Sequence, residues 1–270
     1  MRETMRIEKI VARGALTAVT LVALSATGDA AAQQEPGRAG PELGRPLPAP
    51  VVPPPFFRRA MDRGTRSPDG RPGSRYRQPW SQYEIDAHLD PATARVEGSE
   101  RVRFANLSSD TLRTLVMHLH QNLHRAGTVR NEAQEITGGV DLERVAVDGV
   151  RLRPRGLGPG PAHTVSATIL SLRAPEPLAP GDTAEIEVDW TLTLPQSGAG
   201  RMGWSEREIY FVAYWFPRMA VYDDLRGWDA EPYLGNAEFY DGYASYDVGI
   251  TVPDGWTVMA TGALENPRDV

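Results

Sequence analysis

Ile186-Glu187-Val188-Asp189-Trp190-Thr191-Leu192-Thr193-Leu194 decides the fold class of this 270-residue chain. Five apolar side chains alternate with four polar ones, so an extended backbone sends every apolar group to one face and every polar group to the other. The stretch is predicted to be a strand bordering a core.

The same period of two recurs on both sides of it. Tyr83, Ile85, Ala87 and Leu89 alternate with Gln82, Glu84, Asp86 and His88; Val102 and Phe104 follow after a turn at Asp90-Pro91; Leu115, Met117 and Leu119 repeat the pattern. Arg144 to Val147 and Val150 to Arg153 flank Asp148-Gly149, a dipeptide suited to the two positive φ values of a type I′ hairpin turn. Glu208 to Phe216, apolar on both faces, is predicted as a strand buried inside a sheet stack. Tyr246, Val248, Ile250 and Val252 alternate again, and Trp256 to Thr261 is predicted to pair back across Pro253-Asp254-Gly255. A 3.6-residue period is sustained nowhere for longer than about two turns, and Arg130 to Glu135 is the one short helix expected. The expected class is all-β: two packed antiparallel sheets as in a β-sandwich, or a curved open sheet, over residues 80–270.

Ahead of Trp80 the composition changes. Residues 1–32 carry the three parts of a secretory signal: Arg2, Arg6, Lys9 and Arg13, the apolar run Gly14 to Leu24, and Ala30-Ala31-Ala32. Cleavage is expected after Ala32, giving an exported protein of the periplasm or the extracellular space. The apolar run falls short of the ~20 residues a spanning helix needs, so no stable membrane anchor is expected. Residues 33–79 are rich in Pro, Gly and Arg, as in Pro46 to Pro50, Val51 to Pro55 and Gly64 to Gly73, which predicts a disordered, extended leader. Phe56-Phe57 is an apolar pair suited to docking on the folded part.

Charge divides at the same place. Residues 33–79 hold 9 Arg against 4 acids, a balance of +5, whereas residues 80–270 hold 16 Arg against 28 acids, a balance of −12. The larger segment therefore lacks the concentrated positive charge that a phosphate backbone requires, and no nucleic-acid partner is expected for it. With no Cys, thiol catalysis and thiolate metal sites are excluded, and the fold depends on its apolar core.

Chemistry-bearing patterns are few. His118 and His120, two apart on an expected strand, project from one face and raise the question of a zinc or copper site. No spacing supplies a third ligand, and solvated or hydrogen-bonded strand histidines are expected instead. Asp223-Asp224 is read as an ion pair with Arg218 and a turn cap at Arg226-Gly227, with a carboxylate site for a substrate amine or cation as the functional alternative. H-E-x-x-H, G-x-S-x-G, G-x-x-x-x-G-K-[ST] and G-x-G-x-x-G are all absent.

Several stretches together resemble the N-terminal β domain of the aminopeptidase N family of zinc metallopeptidases (gluzincins, peptidase family M1), bacterial branch. They are Tyr83 to Pro91, Val96 to Phe104, Asn106 to Leu112, His118-Leu-His-Gln-Asn122, Gly200-Arg-Met-Gly-Trp204, Trp215 to Trp228, Pro232 to Tyr240, Tyr246 to Pro253 and Ala260 to Pro267. The resemblance implies a saddle-shaped, non-catalytic domain that shapes one wall of a substrate cleft. It implies too that the domain packs on its own catalytic domain, where the zinc and the peptide-hydrolysing residues reside. No cofactor is expected in this chain and zinc is expected in that other domain, absent from these 270 residues; the partners implied are a peptide substrate, met through the full-length protein, and the catalytic domain itself. The chain by itself is then expected to be inactive. Gly262-Ala-Leu-Glu-Asn266 resembles the family's substrate loop only superficially. Relatives commonly carry Gln one place before Trp215, helping to bind a substrate amine; this chain has Tyr214, which becomes the single candidate substrate-binding residue. The competing expectations are a non-catalytic binding or scaffold β protein without a zinc site, and a sugar-binding sandwich using Tyr210, Tyr214, Trp215 and Trp228.

Overall fold

The computed structural model describes residues 2–8, 52–157 and 160–267, and it bears out the all-β expectation. Strands β1 to β4 are Arg2–Glu8, Trp80–Asp90, Arg95–Ala105 and Leu112–His118, and a single 3-10 turn follows at His120–His124. Strands β5 to β10 are Val140–Val147, Val150–Arg151, Arg153–Pro154, Ala162–Ser166, Ile169–Leu178 and Thr183–Thr193. The remainder are short apart from β17: β11 Ser197–Gly198, β12 Met202–Ser205, β13 Ile209–Phe211, β14 Arg218–Met219, β15 Tyr222–Asp223, β16 Gly227–Trp228, β17 Ala244–Pro253 and β18 Ala263–Leu264.

The largest sheet has the order β18-β1-β17-β2-β3-β10-β5-β6. Strand β10, which contains the quoted stretch, is central, paired antiparallel with β3 on one side and β5 on the other. Two pairs depart from the antiparallel expectation: the short β7 runs parallel to β8, and β17 runs parallel to β2, with Ala244 beside Ser81 and Thr251 beside His88. A parallel pair of long strands needs a long crossover, and the chain between β2 and β17 supplies it by building the second sheet. That sheet has the order β14-β4-β9-β8-β7. Val102, Phe104, Ile186 and Val188 from the first sheet and Leu115, Met117, Leu170 and Leu172 from the second form one buried cluster. Each such side chain contributes about 1.5–3 kcal/mol by leaving water.

The Asp148-Gly149 hairpin forms as predicted, with φ of 50° and 75° and Val147 opposite Val150. Other expectations fail for identifiable reasons. Trp256 to Thr261 is no strand: both edges of β17 are already taken, by β2 and β1, and Trp256 turns away to pack on Tyr210 at 5.7 Å. Arg130 to Glu135 is not helical. Asn131 is instead tied across the fold, its N–H donating to the Leu234 carbonyl at 3.0 Å.

Part of the predicted leader is ordered. Helix α1, Pro55–Arg63, opens on a proline, whose fixed φ suits a first helical position and which has no N–H to leave unpaired. Ala60 is fully buried, and Phe57 and Met61, three and one residues away on the same face, are half-buried. Gly64, at φ +74°, ends the helix: its N–H donates to the Met61 carbonyl at 2.9 Å and the Thr65 N–H donates to that of Ala60 at 3.0 Å. This is the paired-bond C-terminal cap for which glycine is favoured. Residues 33–51 of the leader lie outside the described residues, as does the predicted signal beyond Glu8, including Gly14 to Leu24 and Ala32. Arg2–Glu8, the charged start of that signal, pairs antiparallel with β17. Among the described residues no helix is long and apolar enough to cross a membrane.

Candidate functional site

The strand predicted over Glu208 to Phe216 stops at Phe211, and the chain continues irregularly to Arg218. Tyr214 adopts φ +39°, a left-handed conformation that costs a residue with a Cβ on the order of 1 kcal/mol. Ile209 and Phe211 stay 70% and 65% exposed, against the prediction of a doubly buried strand, while the turn at Tyr214 carries its own ring inward, to 8%. Gln121 braces the turn, its Nε2 donating to the Ala213 carbonyl at 3.0 Å.

Four rings converge there. Tyr214 lies 5.1 Å from Phe239 and 5.9 Å from both His120 and Tyr233, and His120 meets Phe239 at 4.6 Å. Tyr233 is fixed at both ends, its N–H donating to Thr168 Oγ1 at 2.7 Å and its hydroxyl to the Gly235 carbonyl at 2.9 Å. Arg201 lies over the Phe239 ring at 5.5 Å and pairs with Glu238 at 2.6 Å. The Tyr214 hydroxyl is buried without a hydrogen-bonding partner. Burial, then the neighbouring Tyr233, pushes its pKa above the ordinary tyrosine value, so it stays neutral.

Of the two expectations for the histidines, solvated or hydrogen-bonded strand residues, the solvated one is not met at His118 and His120. Strand β4 ends at His118 and the 3-10 turn begins at His120, and both rings are buried, with Nδ1 atoms that have no partner. Burial holds His118 below the usual histidine range, and burial together with the charges of His118 and Arg218 takes His120 down to about 3. Their rings stack at 5.1 Å with 11° between planes. Lone pairs lying in two nearly parallel planes do not converge on one ion about 2 Å from each nitrogen. Among the described residues no group of three or more His, Cys, Asp or Glu side chains is arranged to hold a metal. The zinc that the sequence resemblance implies belongs to the other domain, and these histidines do not fit one here.

Beside His118, Arg218 pairs with Asp241 at 2.6 Å, not with Asp223-Asp224 as predicted. Asp224 instead receives Arg66 from the segment after α1. The turn-cap half of that prediction is seen: Asp223 Oδ1 accepts the N–H groups of Leu225 and Arg226 at 2.8 and 2.6 Å. A small cleft, with a cavity of about 30 Å³, lies between Ser81, Tyr83, Arg218, Asp241 and Tyr246, room for about one water. Tyr83 stacks on Tyr246 at 4.8 Å and accepts the Met219 N–H at 2.9 Å, fixing the floor of this cleft.

Of the residues singled out by sequence, Tyr214 and His120 are brought together, His118 adjoins them, and Asp223-Asp224 lies elsewhere. Arg201, Tyr233, Phe239 and Asp241 were not singled out. The first three stand inside quoted motifs and Asp241 directly follows one, but no spacing along the chain joins one motif to the next.

No protein-family model matches the chain, and no curated protein matches it. Among solved structures, it is similar to an M1 zinc metallopeptidase from Deinococcus radiodurans, with 16% identity and a TM-score of 0.37, covering 66% of this chain and 33% of that one. A mutant of that enzyme bound to a Tyr-Ser-Ala substrate gives 16% and 0.36, covering 68% and 34%. A two-domain M1 zinc metallopeptidase mutant bound to L-arginine gives 17% and 0.37, covering 68% and 35%. The chain thus spans about a third of the length of these structures.

Proposed function

We propose that this chain is the non-catalytic β domain of an exported zinc metallopeptidase of the aminopeptidase N type, bacterial branch. In this proposal the box around Tyr214 forms part of the wall facing a peptide substrate. Zinc and peptide hydrolysis belong to a catalytic domain of the full-length protein, on which the β domain packs, and the mature protein works in the periplasm or outside the cell.

The observation that carries the proposal is convergence. Three stretches bearing the sequence resemblance send His120 and Gln121, Arg201, and Tyr233 with Phe239 to one irregular face, where Tyr214, just ahead of a fourth stretch, meets them. A core needs apolar contact, but it does not need an arginine, a strained tyrosine and an unpartnered hydroxyl gathered at its rim. Such a set suits orientation of a polar ligand at an apolar wall.

The test compares this chain with the full-length protein. The chain, purified and washed with chelator, should hydrolyse no aminoacyl-anilide; the full-length protein should do so with one zinc per molecule, losing activity when chelated. Tyr214→Ala in the full-length protein should raise KM with a smaller effect on kcat. Turnover by the washed chain, or a full-length protein with neither zinc nor activity, would overturn the proposal, the latter in favour of a scaffold protein.

A further inference from the structure

The segment from α1 to Pro79 is organised as a piece of its own. Its backbone bonds are largely internal: Ser67 N–H donates to the Arg71 carbonyl at 2.9 Å, Gly73 N–H to that of Thr65 at 2.8 Å and Arg75 N–H to that of Gly64 at 3.1 Å. A Cβ on Gly73 would stand 2.2 Å from the Gly64 carbonyl oxygen, so the two passes of the loop touch where only glycine fits. None of its apolar residues belongs to the buried core clusters of the sheets.

What ties it to the sheets is charge. The Arg66 guanidinium makes three hydrogen bonds to Asp224, at 2.7, 3.0 and 3.2 Å, with the two side chains only 20% and 10% exposed. Tyr76 from the same loop lies against that guanidinium, 4.9 Å from ring centroid to cation. Arg63 pairs with Asp110 at 3.2 Å, and the same carboxylate oxygen accepts the Tyr222 hydroxyl at 2.9 Å. Asp110, Tyr222 and Asp224 thus form a docking strip for two arginines, one at the end of α1 and one just past its cap. Beyond them, Gln78 and Pro79 form one wall of the cleft whose other lining includes Ser81, Tyr83, Arg218 and Asp241.

We infer that residues 55–79 are a releasable strap: a self-bonded unit latched by Arg66 on Asp224 and Arg63 on Asp110, which closes one side of the Tyr83–Arg218–Asp241 cleft when docked. A unit with little apolar anchorage opens without unfolding the sheets, because the core that holds them is untouched. A bidentate arginine–carboxylate pair supplies geometry as well as attraction, so the strap returns to one position. The inference is independent of the peptidase proposal.

The absence of cysteine makes a direct test available. Ser81 lines the cleft and is buried, so Ser81→Cys gives the full chain a single reporter thiol. Adding Asp224→Asn should speed thiol labelling by tenfold or more. It should leave hydrogen exchange at the amides of β10 unchanged. The charge swap Arg66→Asp with Asp224→Arg should restore slow labelling. A labelling rate within about twofold of the parent after Asp224→Asn would overturn the inference. So would β10 amides accelerating with the labelling, since the strap would then not be a separate unit.

Discussion

The indole of Trp190 occupies the space above Gly98 on the neighbouring strand, so closely that a Cβ on Gly98 would lie 2.3 Å from Trp190 Cζ2. Trp190 is 1% exposed and is among the largest fully buried side chains of the protein. A glycine in mid-strand is ordinarily a weakness, but here it is the socket that lets a large ring lie across β3 and β10. Gly98→Ala should therefore destabilise by about 1–3 kcal/mol through overpacking, and Trp190→Ala by about 3–5 kcal/mol through the cavity left behind. Urea midpoints of the two variants would check both. An unchanged midpoint for Gly98→Ala would refute the socket.

Glu100 points inward on the same strand, 4% exposed, with neither carboxylate oxygen hydrogen-bonded. Burial raises its pKa well above the ordinary value. A raised folded value means stability is full below the unfolded carboxyl value near ~4.3 and drains as pH rises toward the folded one. Glu100→Gln should flatten that limb and gain on the order of 1–3 kcal/mol at pH 8. A loss at pH 8, read from denaturation midpoints, would show that the carboxylate has a partner.

His118 and His120 act in the opposite direction. Their folded values are depressed by burial, so their contribution is present above the unfolded value of about 6.5 and is lost as pH falls below it. For His120 the loss continues down to about 3, at up to roughly 1.4 kcal/mol per pH unit. His120→Phe should make the acid limb between pH 6 and 4 shallower in a thermal-melt series. Parallel limbs for variant and parent would contradict this.

Tyr214 offers a reversal of the usual ranking of substitutions. Its hydroxyl is buried and unpartnered, so Tyr214→Phe should be neutral or stabilising by up to about 1 kcal/mol. Its φ of +39° favours a residue without Cβ, so Tyr214→Gly should be more stable than Tyr214→Ala by about 1 kcal/mol. Chemical denaturation of the three variants ranks them, and Ala above Gly would disprove the backbone account.

The proposed export leads to a covalent prediction. Expressed with its own leader in a bacterial host, the protein should be recovered outside the cytoplasm with Gln33 as its first residue, as intact mass would report. Such cleavage removes Arg2–Glu8, leaving one edge of β17 without its antiparallel neighbour. A mature protein retaining Met1 would rule the cleavage out.

The sequence by itself determined the class of the fold and the faces of its main strands. Alternation over Tyr83 to Leu89, Ile186 to Leu194 and Tyr246 to Val252 is a local property, since one residue of slip would turn each apolar row to water. The Asp148-Gly149 turn was legible for the same reason: its φ values are a demand on two adjacent residues. Helix α1 was also written locally, in Pro55 at its start and Gly64 past its end, but the surrounding proline and glycine made the stretch read as a leader throughout. Tertiary structure alone decided the parallel partnership of β17 and β2, the inward turn of Tyr214, and the meeting of His120, Arg201, Tyr233 and Phe239 around it. It alone decided too that Arg66 rather than Arg218 pairs with Asp224. These depend on which distant surfaces become neighbours once the two sheets close on their core, and spacing along a chain carries no record of that.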